Sequence, residues 1–216
     1  ARLADHVLWE LDGVTWLVGQ YDVETAAGAA RYWIPLALAW EDTEEARFRT
    51  LGAAPVAKVR QQAAVGLLAD AFADEAFCRA LAESIGAGRE LATAHGRLRF
   101  VPTRAYAEIA GSDLSGLEVR RAKGQSSNTV VALGERLFLK GYRRLQEGIN
   151  PEVEIGRFLT EVARFPHCVP VAGAVEHVGV DGATVALALL QAYVENDGDG
   201  WGYTLDYLER FLDGCR

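Results

Sequence analysis

Near its start the chain alternates apolar and polar residues with the period of two that turns one face of a strand inward. The pattern covers residues 6–10, 15–18 and 32–40, separated by Asp12-Gly13 and by an Ala/Gly-rich turn at residues 26–30. An antiparallel sheet is expected here. The spacing then lengthens, and residues 59–69 and 74–85 read as helices. In the second, Asp74 is placed as N-cap, Phe77, Leu81 and Ile85 fall four residues apart on one face, and Gly86-Ala87-Gly88 closes the helix. That apolar stripe reads as core rather than as a cofactor contact.

From about Gly96 the pattern returns to strands, at residues 98–101 and 117–120. Val130, Val131, Leu133, Leu137, Phe138 and Leu139 make two apolar runs around Gly134-Glu135, the pattern of a β-hairpin, with Lys140 closing its second strand. A helix is expected just after Asn150, with Pro151 at the first position, where its missing N–H is harmless. Two further strands, residues 172–178 and 184–190, are joined by Val180-Asp181-Gly182, and the second is apolar enough to be buried on both sides. A last helix is expected from near Thr204. The return of the strand pattern places a boundary near residues 88–96 and divides the chain into an α+β unit at 1–90, a second unit at 91–194 with an antiparallel sheet, and an exit segment at 195–216.

Composition narrows the function. The chain has 216 residues, 50% of them hydrophobic and 24% charged, enough for one large or two small cores. A formal net charge of −8 argues against a nucleic-acid partner, because phosphate backbones demand a clustered excess of Lys and Arg. The basic cluster Lys140, Arg143 and Arg144 reads as a solvated strand end for the two arginines. No apolar run approaches the ~20 residues needed to cross a bilayer, and no signal-peptide pattern opens the chain. Cys78, Cys168 and Cys215 suggest neither a disulfide framework nor a zinc site, which fits a cytoplasmic protein. His6, His95, His167 and His177 lack metal-ligand spacing and read as surface or structural residues. The acidic loop starting at Asn196 resembles a calcium loop, but its twelfth position is Tyr207 instead of glutamate.

A polar turn, a strand ending in lysine and an acidic helix in succession are the order of parts in a protein-kinase-like small lobe. There the strand lysine contacts the α- and β-phosphates and a helical glutamate holds it. Lys140 and either Glu152 or Glu154 are the candidates. Glu152 shares a helical face with Ile155 and Leu159, whereas Glu154 falls with Phe158 and Glu161, and the spacing favours Glu152. The ordinary alternative is a snorkelling lysine and two acids drawn to a helix N-terminus by its dipole. The turn has no GxGxxG or Walker sequence. Its phosphate chemistry would come from backbone amides and from the small polar groups of Ser126, Ser127, Asn128 and Thr129, residue types that also fill ordinary hairpin turns.

The wording of the second half resembles the maltokinase family, including the kinase part of trehalose synthase/maltokinase fusions. The resemblance rests on QSSNTVV at 125–131, LFLKGYRRL at 137–145, GINPEVEIGRFLTE at 148–161, PVAGAVE at 170–176 and LLQAYVENDGDGWGYTLDYLERFL at 189–212. YWIPLALAW at 32–40 and AAVGLLADAFADEAFCRAL at 63–81 are similar to the family's N-terminal cap. The resemblance implies a cap followed by a kinase-like small lobe with an αC-type helix. It implies transfer of the γ-phosphoryl of ATP, with Mg2+, to maltose, giving maltose 1-phosphate, and a fused or associated trehalose synthase as a partner. By it, Ser126, Ser127, Asn128 and Thr129 lie over the phosphates, Lys140 pairs with them, Glu152 orients Lys140, and Gln191, Tyr193 and Val194 run along adenine. The family's catalytic aspartate, asparagine and metal-binding aspartate have no counterpart, and the chain has no methionine. It therefore reads as an internal piece of a longer enzyme, lacking the large lobe and inactive by itself. The competing reading is a noncatalytic scaffold that docks a neighbouring carbohydrate-active enzyme, and the two part at Lys140, whose replacement a scaffold would tolerate.

Overall fold

In the computed structural model, which describes residues 1–26, 28–121, 127–196, 198 and 200–214, the initial alternation is realised as three long strands. These are β1 (Arg2–Leu11), β2 (Val14–Thr25) and β3 (Gly28–Trp40). Asp12 and Gly13, with φ of 51° and 78°, make the tight turn between β1 and β2, a backbone region that favours glycine. Trp9 and Trp16 face each other across that pair and are both 2% exposed.

After α1 (Glu45–Leu51) comes a hairpin of β4 (Pro55–Gln61) and β5 (Ala64–Asp70), turned at Gln62 with φ of 55°. The helix expected over residues 59–69 does not exist. A short apolar run fits either period, and here the open edge of β3 supplies a ladder that overrides the local reading, with Ala37 opposite Ala69 and Leu38 opposite Leu68. The first sheet has the order β1-β2-β3-β5-β4.

A single 3₁₀ turn, Ala71–Ala73, leads into α2 (Glu75–Gly86). Asp74 caps this helix as expected, its Oδ1 accepting from the Ala76 N–H at 3.1 Å, and Phe77, Leu81 and Ile85 are at most 1% exposed. The remaining elements are β6 (Glu90–Thr93), β7 (Gly96–Pro102), α3 (Tyr106–Ala110), β8 (Val119–Arg121), β9 (Asn128–Leu133), β10 (Leu137–Tyr142) and β11 (Arg144–Leu145). Then follow α4 (Pro151–Arg157), a π-helical turn (Phe158–Val162), β12 (Val171–Gly179), β13 (Thr184–Ala192) and α5 (Gly200–Gly214).

The second sheet has the order β6-β7-β12-β13-β10-β9-β8, and every pairing in both sheets is antiparallel. The fold is thus α+β. β13 runs between β12 and β10, and residues 185–190 are buried throughout, which explains its unbroken apolar sequence.

The chain changes sheet between β5 and β6, yet the inner faces of the two sheets share one continuous core. Trp9 lies 5.9 Å from Phe77 of α2 and 5.6 Å from Phe100 of β7, ring centre to ring centre, and Trp33 stands edge-on to Phe72 at 5.4 Å. Burying each such aromatic side chain is worth roughly 1.5–3 kcal/mol, so the first sheet is anchored to the second through its tryptophans. β11 adds a backbone strap by pairing with β3. Among the described residues no helix is long and apolar enough to cross a membrane.

Candidate functional site

β10 separates two environments by the alternation of its side chains. Leu137 and Leu139 enter the main core, while Lys140 and Tyr142 bracket Gly141 and face α4. Gly141 is required where it stands: a Cβ there would run into the ring of Phe72. Tyr142 forms the floor under α4 together with Val153, Val171, Ala174, Ala186 and Leu189. The strand continues to Tyr142, two residues past the end expected at Lys140, because Gly141 and Tyr142 still pair with Thr129 and Asn128.

α4 is positioned by its own first turn. The Asn150 side chain accepts from the N–H groups of Glu152 (3.0 Å) and Val153 (3.3 Å), and Pro151 occupies the first helical position. Val153 packs inward at 6% exposure. Glu152 meets Lys140, whose Nζ donates to Oε1 at 2.9 Å and to Oε2 at 2.7 Å. The Tyr142 hydroxyl donates to the same Oε2 at 2.9 Å, and the lysine nitrogen lies 5.6 Å from the Tyr142 ring centre. Burial, followed by the Glu152 charge, pushes the Tyr142 phenol well above its ordinary range, so it stays a donor. Glu154, the alternative acid, instead lines a cavity of about 500 Å³ between α4 and the β12–β13 pair, with Val153, Arg157 and Glu176.

Three residues beyond Lys140 lies a second cationic centre. Arg143 is not the solvated strand end expected from the sequence, since its side chain is only 16% exposed. Its Nη2 donates to Asp70 Oδ2 in a short ion pair, its Nε donates to Thr129 Oγ1 at 2.6 Å, and its guanidinium stacks 4.6 Å from the Phe72 ring centre. The Arg143 carbonyl accepts from the Trp33 N–H at 2.9 Å. Burial lowers the pKa of the guanidinium, with Asp70 opposing that effect, and it remains charged. Arg144 is exposed as expected.

The polar turn is only partly on view. Ser126 lies outside the described residues, and Ser127 is exposed just before β9. Asn128 and Thr129 belong to β9 rather than to the turn, because ladder pairing with Tyr142 and Gly141 draws them into the strand. The Thr129 hydroxyl faces Arg143. At the other end of the site, Gln191 is still in β13, opposite Phe138 of β10 and Val171 of β12. The Tyr193 N–H donates to the Arg136 carbonyl at 2.8 Å and is thereby occupied, whereas Val194 is 52% exposed. Among the described residues no group of three or more His, Cys, Asp and Glu side chains is arranged to hold a metal ion.

Sequence reasoning brought Lys140 and Glu152 together and placed Arg143 beside them as a solvated strand end, but missed Tyr142 as their neighbour and Asp70 as the partner of Arg143. Tyr142 could have been found by the period of two, since it lies two residues from Lys140 on the same strand face. Nothing local marks Asp70 as the partner of an arginine 73 residues away.

No family model matches the chain. A solved structure of a glucosamine kinase in complex with glucosamine, ADP and inorganic phosphate superposes on 99% of this chain with a TM-score of 0.53 at 18% identity. The chain spans 41% of that protein's length. The antiparallel α+β architecture described above is therefore similar to the fold of part of that protein.

Proposed function

We propose that this chain is the cap and nucleotide-binding small lobe of a maltokinase-like sugar phosphotransferase, which converts ATP and maltose to ADP and maltose 1-phosphate. The observation that carries this reading is the Lys140–Glu152 pair, held across the end of β10 and the first turn of α4. Support comes from the likeness of the whole chain to a sugar kinase and from the resemblance of residues 125–212 to maltokinases. The division into a cap at 1–90, a small lobe at 91–194 and an exit segment at 195–216 belongs to the same proposal.

In this reading the ammonium of Lys140 meets the charge of the α- and β-phosphates, and Glu152 fixes its position, so that little reorganisation is needed when the nucleotide arrives. The side chains of Lys140 and Glu152 are 23% and 41% exposed, so the ammonium is within reach of a ligand from solvent. Ser127 and the start of β9 would cover the phosphates. The adenine edge would fall to the groups around Val194, since the Tyr193 N–H is occupied. The accessible ammonium of Lys140 is a donor suited to the phosphates of ATP. In the same reading a larger parent protein would supply the magnesium ligands, together with the acceptor sugar's site and the catalytic base. A cytoplasmic location and an associated trehalose synthase complete the proposal.

The test is a phosphoryl-transfer assay on a parent protein containing this chain, with labelled ATP, magnesium and maltose. Maltose 1-phosphate is the expected product, and Lys140→Ala should lower its rate by about 100-fold or more, the usual effect of deleting one preorganised electrostatic donor. An unchanged rate in the Lys140→Ala parent would remove the assignment.

A further inference from the structure

Glu152 has two donors, and they differ in kind. Lys140 is a flexible chain whose ammonium must turn toward a ligand's phosphates if the proposed function holds. Tyr142 is a rigid ring, 7% exposed and packed against Val153, Val171, Ala174, Ala186 and Leu189. Its hydroxyl reaches Glu152 Oε2 at 2.9 Å from a strand that is paired on both sides, to β9 and to β13. The main-chain N–H of Glu152 is held at 3.0 Å by Asn150 Oδ1. Glu152 is thus fastened at its carboxylate by Tyr142 and at its main chain by Asn150, two contacts that do not depend on Lys140.

We infer that Tyr142 is a positioning residue for the proposed phosphate site. It holds the Glu152 carboxylate in place when Lys140 shifts part of its bonding to a phosphate, so that the acid stays within reach and keeps the ammonium aimed. A hydrogen bond to a charged acceptor, supplied by a buried and always protonated phenol, suits this task better than a second lysine, which would compete for the phosphate. The inference rests on the kinase reading for its purpose but not for its geometry, and the two can be tested apart.

The first measurement needs no nucleotide. In protein labelled with ¹³C at glutamate side-chain carboxyls, the Glu152 resonance is assigned with Glu152→Gln and followed in Lys140→Ala, Tyr142→Phe and the double variant. Lys140→Ala should leave a single sharp Glu152 resonance, still responsive to Tyr142→Phe, and the double variant should move it to the position of a solvated carboxylate. An unmoved resonance in both Tyr142→Phe backgrounds would overturn the hold. The second measurement is the ATP affinity of the same variants. Tyr142→Phe should weaken binding by about threefold to tenfold, the range set by one charge-assisted hydrogen bond. It should have no further effect in the Lys140→Ala background, because the ring acts through the pair. A purely structural tyrosine would instead lower the unliganded melting temperature and leave ATP affinity intact, which would overturn the positioning role. Absence of any ATP binding by the unsubstituted chain would count against the kinase reading, and the resonance would then decide the hold by itself.

Discussion

Lys140–Glu152 and Arg143–Asp70 are two ion pairs whose cations sit three residues apart, and they are built to opposite ends. The Arg143 side chain is 16% exposed and Asp70 21%, against 23% and 41% for Lys140 and Glu152. The guanidinium uses its fork to join three places at once: Asp70 at the end of β5, Thr129 on β9 and the face of Phe72. Those contacts tie the first sheet to the second beside the candidate site, and a planar five-donor cation is the residue type that can satisfy them together. The lysine carries a point charge on a movable stem and binds one carboxylate at an accessible edge. A part-buried, multiply bonded pair resists exchange, because removing either partner strands a charge. A half-exposed pair can trade its carboxylate contact for a phosphate at little cost.

The largest expected effect therefore belongs to the Arg143–Asp70 pair. Asp70→Ala should destabilise the protein by about 3 kcal/mol, since it leaves the largely buried Arg143 without a counter-charge and the Phe72 N–H without its acceptor. Urea unfolding followed by tryptophan fluorescence measures it, and a loss below about 0.5 kcal/mol would show that the pair is no more structural than its neighbour. Replacing both Asp70 and Arg143 by leucine should recover part of the loss, because the stranded charge is then gone.

A fully buried pair sharpens the comparison. His177 Nε2 lies 2.5 Å from Asp5 Oδ2, and Asp5 also accepts from Thr93 Oγ1 and from the N–H groups of His6 and His95. Burial alone would raise the Asp5 pKa, but the hydrogen bonds outweigh it and hold the carboxyl below its ordinary value. With a depressed folded pKa, the contribution to stability is complete above about pH 4, the unfolded carboxylate value, and is lost as the pH falls through the lower folded value. Asp5→Asn should flatten that acid limb and cost about 1–2 kcal/mol at neutral pH. Stability profiles from pH 2 to 7 that superimpose for both proteins would contradict this role.

The smallest effect on folding belongs to Lys140→Ala, expected to cost less than about 1 kcal/mol. A loss as large as that of Asp70→Ala would erase the distinction between the two pairs.

Which parts of this arrangement were legible in the sequence follows from how far each signal reaches. Asp74 and Asn150 cap their helices through N–H groups two or three residues on, and both helix starts could be read directly. Glu152 was chosen over Glu154 by helical periodicity alone, again a local rule. Residues 59–69 were misread because their partner strand, β3, lies some 30 residues earlier and an apolar run does not announce which edge it will join. Arg143 was misread for the same reason, as Asp70 and Trp33 come from the first sheet. Asn128 and Thr129 carry turn chemistry in their side chains, yet the ladder with β10 extended far enough to include them.

The most direct test of the central claim is the thermal shift given by ATP. If the chain carries part of a nucleotide cleft, as proposed, with an affinity of about 1 mM, then ~5 mM ATP should stabilise the fold by roughly 1 kcal/mol, a rise of about 2–4 °C for a chain of this size. Lys140→Ala should abolish most of that rise while leaving the unliganded melting temperature nearly unchanged, and maltose alone should give none. A rise of the same size in Lys140→Ala would contradict the account, because nucleotide would then bind without the cation that the β10–α4 junction holds in place.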